Sequence, residues 1–138
     1  MSASPYLGEI ATFAFNFVPS GWAACHGQLL PIESHSALFS LIGTMYGGDG
    51  RSTFALPDMR GRVAIGQGDR SESNQSYSVG DRVGHETQHL YSRDVAVVES
   101  ENNVRVVYAS EQPPLSVMQP SLALNYCIAL EGEYPNRT

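Results

Sequence analysis

Residues 8–17, GEIATFAFNF, alternate along the chain. Ala11, Phe13, Phe15 and Phe17 fall on one face, and Thr12, Ala14 and Asn16 on the other. Period two predicts a half-buried strand. Pro19, Ser20 and Gly21 break it, and WAACHGQLL predicts a second short strand with a tight turn at Gly27 and Gln28. The period then changes. Ala37, Leu38, Leu41, Ile42 and Met45 recur at helical spacing, Ser34 stands at the N-cap position, and Gly47 and Gly48 stand where a helix ends. The pattern predicts one helix, at about 34–45, and no second helix as clear.

From Asp58 the alternation returns. Met59, Gly61, Val63 and Ile65 share one face of a predicted strand, and Asp58, Arg60 and Arg62 the other. A long polar, glycine-bearing loop follows. The run DVAVVESENNVRVVYA predicts a hairpin, and EQPPLSVMQP a proline-punctuated connector, so that 91–118 forms a region of its own within one domain. In SLALNYCIAL the large residues Leu122, Leu124, Tyr126, Ile128 and Leu130 alternate with the small Ala123, Asn125, Cys127 and Ala129. Such a strand is expected to be buried on both faces, with something packed close on the small side.

These elements predict an α+β fold, a single mostly β domain over residues 1–138 with one short helix. Charge then narrows the function. Fourteen acids against eight bases leave a net charge of −6, which disfavours nucleic acid as a partner, since phosphate backbones select basic clusters. All the bases are arginine, the residue suited to planar, bidentate contacts. No positively charged segment precedes an apolar run at the N-terminus, so a conventional signal peptide is not expected. The longest charge-free run, Ile10 to Ile32, is interrupted by Asn16, Pro19, Gly21, Gln28 and Pro31, so membrane insertion is not expected either.

Several residues have the chemistry for a site. Cys25 and His26 are adjacent, which on a strand sends them to opposite faces and disfavours a thiol–imidazole pair. Cys25 with Cys127 leaves a disulfide open, although buried thiols are the default without a secretion signal. His85 and His89 have a spacing that suits zinc on a helix, but on a strand they stand about 13 Å apart. The loops carrying Asp49 and Asp58, and Asp69, Glu72 and Asn74, are oxygen-rich but lack EF-hand spacing. No metal, cofactor or catalytic group is expected. Asp58, Arg60 and Arg62 read either as a solvated charge ladder or as a buried or interfacial lock.

The combination of YLGEI, PSGWAACHGQLLPI, ALFSLIGTMYGGDGRSTFALPDMRGRV and LALNYCIAL resembles the phage tail collar domain. It is more closely similar to the bacterial branch known as microcystin-dependent proteins. The resemblance implies architecture rather than catalysis. Trp22, Cys25, Gly27 and Gln28 match one framework segment, and Pro57, Asp58, Arg60, Gly61 and Arg62 match the other, which favours the lock. Relatives commonly carry a histidine motif of the form His-x-His, in some fibres tied to metal at a trimer axis. This chain has none, so the metal-centred trimer does not carry over.

The expected function is non-enzymatic: a self-assembling structural subunit of an extracellular fibre, filament or tail-like particle, pairing with its own copies or with related collar subunits. The alternative is a surface adhesin, binding a host-surface or glycan receptor as a small oligomer. Val95, Val97, Val104 and Val106 of the hairpin are the candidate assembly residues, since an apolar strand edge invites pairing. An open filament is favoured over a closed ring or trimer.

Overall fold

The structure, a computed structural model, describes residues 4–70, 72, 74–88, 96–100, 103–107 and 114–137. Two compact units emerge, one from Met1–Arg82 with Leu122–Thr138 and the other from Val83–Ser121. Short antiparallel strands dominate both, and the helix lies in the first.

The first unit is built around a three-stranded sheet. Strand β1 (Ile10–Phe13) and strand β2 (Trp22–Ala24) flank β11 (Asn125–Ala129), the last strand of the chain. Ile10 lies opposite Ile128, and Ala24 opposite Cys127. As the middle strand, β11 is paired along both edges, and the burial of the successive residues Cys127, Ile128 and Ala129, which point to opposite sides, shows that both its faces are covered there. The two-faced reading of the closing strand therefore holds for these residues. It does not hold for Leu122 and Leu124, which precede β11 and are exposed.

Strand β3 (Leu29–Pro31) pairs with β4 (Thr53–Ala55), and the helix α1 (Ser36–Ile42) connects them. Leu38 from α1, Phe54 and Leu56 from the β4 segment, Ile128, Cys25 and Leu7 form the core. Farther on, β5 (Gly68–Arg70) pairs with β6 (Gln75–Tyr77). In the second unit, β7 (Thr87–Gln88) pairs with β10 (Leu115–Ser116), and β8 (Ala96–Ser100) with β9 (Asn103–Val107).

Three expectations require correction. The helix is shorter than 34–45, and Ser34 is not its cap. Ile32 accepts from the His35 N–H at 3.1 Å, which places residues 32–34 in a turn ahead of the helix. His35 takes the N-cap position without a side-chain hydrogen bond. The C-terminal end comes early because Gly43, at φ 50°, donates its N–H to Phe39 and leaves helical geometry. Second, β1 stops at Phe13; residues 14–17 bend, which a period-two pattern cannot register. Third, no strand runs on from Asp58. Met59 accepts from the Arg62 N–H at 3.2 Å, with Gly61 at φ 65° inside the turn. A positive φ at that position reverses the chain and favours glycine, so the apparent alternation of Asp58, Arg60 and Arg62 belongs to a turn. Val63 and Ile65 are accordingly exposed.

The loop between α1 and β4 shows why GGDG stands there. At Gly48, φ is 93°, and a Cβ would come within 2.4 Å of the Phe54 Cα. The loop lies against the β4 backbone, and only glycine allows that approach. The Asp49 carboxylate then gathers the turn. Oδ1 accepts from the N–H groups of Arg51, Ser52 and Thr53 at 2.8–2.9 Å, and Oδ2 from the Ser52 hydroxyl. Those donors hold its pKa well below the usual carboxylate range, the Thr53 N–H contributing most.

Candidate functional site

The two framework segments meet in space. Residues 25–28 and 56–60 are joined by backbone hydrogen bonds. Gly27 donates to Pro57 at 3.1 Å, Leu56 to Gln28 at 3.0 Å and Met59 to Cys25 at 2.9 Å, and His26 and Asp58 form an antiparallel bridge. The Gln28 side chain closes the first segment on itself. Its Nε2 donates to the Ala24 carbonyl at 2.8 Å, while its Oε1 accepts from the His26 N–H at 3.2 Å. Gly27 sits at φ 71°, facing Asp58, where an added Cβ would stand 3.1 Å from the Asp58 Cβ. Small size and left-handed backbone are both required at that position.

Asp58 and Arg60 form the outer part of this junction. Arg60 Nε donates to Asp58 Oδ1 at 2.8 Å and Nη2 to Oδ2 at 2.9 Å, a bidentate fork. Nη2 also donates to the His26 carbonyl at 3.0 Å, so the guanidinium ties both segments. The side chains are 25% exposed for Asp58 and 63% for Arg60. The pair is therefore a partly solvated surface clasp and not a buried lock. Arg60 is the main reason the Asp58 carboxyl lies well below the usual carboxylate range. Arg62 closes the turn through its backbone N–H, and its charge is the smallest of the effects on Asp58.

Beneath the clasp, Cys25 and Cys127 are buried free thiols. Burial pushes the Cys25 thiol up to about 12, with the neighbouring Cys127 adding to the effect, and burial raises Cys127 as well. His26, in contrast, is exposed. Protonated thiols in apolar surroundings are poor nucleophiles, so this arrangement has the chemistry of packing. Trp22 lies half-buried, edge-on to Phe13 with ring centroids 5.5 Å apart.

Sequence reasoning missed an apolar face at the end of β1. The rings of Phe13 and Phe15 are 5.0 Å apart, and those of Phe15 and Phe17 are stacked at 4.3 Å. Phe13 is buried, but Phe17 is 62% exposed, and Phe15 and Val18 are exposed too. Asn125 Nδ2 donates to the Phe17 carbonyl at 2.9 Å. That bond brings the start of β11 to the end of the aromatic row, with exposed Leu124 immediately before it. The signal was present in the three phenylalanines. Reading them as one buried strand face concealed it.

The assembly candidates lie elsewhere. In the second unit, Val97 is the register partner of Val106, and Val104 of Glu99. Val95 and His89 lie outside the described residues, and His85 is exposed. Among the described residues, no group of three or more His, Cys, Asp or Glu is placed to hold a metal ion, and no helix is long and apolar enough to cross a membrane.

Residues 8–64 match the profile of the Phage Tail Collar Domain, a structural family of phage tails. The match contains β1 to β4, α1 and both halves of the Asp58–Arg60 junction. No curated protein matches the chain.

Proposed function

We propose that this chain is a non-enzymatic structural subunit of a phage tail or tail-like particle, assembling with its own copies or with other tail subunits. The observation that carries the reading is the match over residues 8–64. Within that span, residues 25–28 are hydrogen-bonded to residues 56–60, with Gly27 donating to Pro57, Leu56 to Gln28, Met59 to Cys25 and Arg60 to the His26 carbonyl, so the two segments that resemble the family's framework meet in one junction. By its quoted segments taken together, the chain also resembles the microcystin-dependent collar proteins. The particle is extracellular or part of a virion, and subunits contact one another through strand edges or through the hairpin region at 91–118.

Assembly is the claim to test. Purified protein should form filaments, rings or defined oligomers, seen by negative-stain electron microscopy and by light scattering across a concentration series. A protein that stays monomeric at high concentration would refute the proposal. A monomer that binds cell surfaces or glycans would put the adhesin reading in its place.

A further inference from the structure

Resting on that reading of the chain as an assembling subunit, we infer that a second copy of this chain packs against the face formed by Phe15, Phe17, Val18 and Leu124, making a like-with-like contact. Two observations meet here. The first is charge. Residues 10–32 and 112–130 contain no Asp, Glu or Arg, although the protein carries a net charge of −6. The fold brings parts of both runs together, since Phe17 and Asn125 are hydrogen-bonded. Two copies of an acidic protein repel. The approach least opposed is across surface contributed by segments without ionised groups. A basic partner would gain nothing from this face and would be drawn to acidic residues elsewhere.

The second observation is the sheet. On one side β1 pairs with β11, and among the described residues its other edge pairs with no strand. An unpaired edge presents N–H and C=O groups to a neighbouring chain. Here that edge leads into exposed, stacked aromatic rings, and aromatic anchors dominate the centres of protein interfaces. An uncharged apolar face complements itself, so an isologous, two-fold contact is the simplest arrangement. A particle or filament then needs one further contact, and the hairpin region is the candidate for it.

Sedimentation velocity across a concentration series tests this on the intact chain. Phe17→Asp combined with Leu124→Asp should weaken self-association on the order of tenfold or more, while Phe17→Leu should keep it. Added salt should strengthen association of the wild type by screening the acidic charge. If the aspartate variant does not fold, Phe17→Cys supplies a second route, because both native cysteines are buried. Under mild oxidation it should give a disulfide-linked dimer through the new thiols. Wild-type oligomers that persist unchanged in the aspartate variant, with no cross-linking through Phe17→Cys, would overturn this contact and leave the structural-subunit reading standing. A wild type that is monomeric throughout would overturn both.

Discussion

Arg60 reaches back two residues to grip both carboxylate oxygens of Asp58, and the same guanidinium holds the carbonyl of His26, thirty-four residues away in sequence. The contact is local in its charges and long-range in its consequence. It fastens the turn after β4 to the turn after β2. Because it is partly solvated, it acts as a clasp on a junction already made by backbone hydrogen bonds.

Removing that clasp should loosen the junction without unfolding the protein. Asp58→Ala and Arg60→Met should each lower the melting temperature by a few degrees, and the double variant should cost less than the sum, since both remove one interaction. Strict additivity in calorimetry would show that the pair is not coupled.

Acid sensitivity follows from the same carboxylates. Asp49 and Asp58 both have folded-state pKa values lowered below the unfolded value of 3.8. The folded state therefore binds their protons less tightly. Their contribution is complete at neutral pH, begins to fall as the pH drops toward 3.8, and is gone below the folded-state values. Urea titrations at falling pH should show a steep loss of stability that Asp49→Ala with Asp58→Ala flattens.

Thiol chemistry should be silent in the native state. With Cys25 pushed up to about 12 and Cys127 raised, a thiol-specific chromogenic reagent at pH 8 should label neither until the protein unfolds. A raised pKa stabilises the fold below the unfolded value of 9.0, and that stability is lost as the pH climbs from 9 through the folded-state values. Rapid labelling of folded protein would contradict the buried placement.

Backbone conformation should separate two glycines. Gly48→Ala brings a Cβ against the Phe54 backbone at positive φ and should cost about 2 kcal/mol or more. Gly43→Ala meets nothing within 4 Å but puts a side chain at φ 50° and ψ −135°, outside the left-handed helical well, and should cost about 1–3 kcal/mol from backbone strain alone, less than Gly48→Ala. Chemical denaturation of both variants checks the order.

The helix offers a similar contrast. Leu38 is 1% exposed in the core, and Leu38→Ala should cost about 2–5 kcal/mol by leaving a cavity. Ser34 stands in the turn ahead of the helix and caps nothing, so Ser34→Ala should change stability by no more than about 0.5 kcal/mol. A Ser34 effect near that of a lost cap would contradict the His35 boundary.

The sequence by itself determined the elements whose cause is local. Leu38, Leu41 and Ile42 specify α1 by helical spacing, the Val97 and Val106 runs specify a hairpin, and the alternation around Cys127 marks a strand covered on both faces. Glycines with one permitted backbone also left a local trace in GGDG. The tertiary structure alone decided which strands are neighbours, because β11 closes between β1 and β2 from more than a hundred residues away, and periodicity carries no information about partners. It also decided that Asp58 precedes a turn in which Arg60 lies and which Arg62 closes. Alternation in sequence looks the same whether the backbone stays extended or Gly61 reverses it. Phe13, Phe15 and Phe17 make the same point. Three identical residues at identical spacing end with one ring in the core and two on the surface. Burial depends on what packs opposite, and the chain bends after Phe13 before Phe15 and Phe17 can follow it inside.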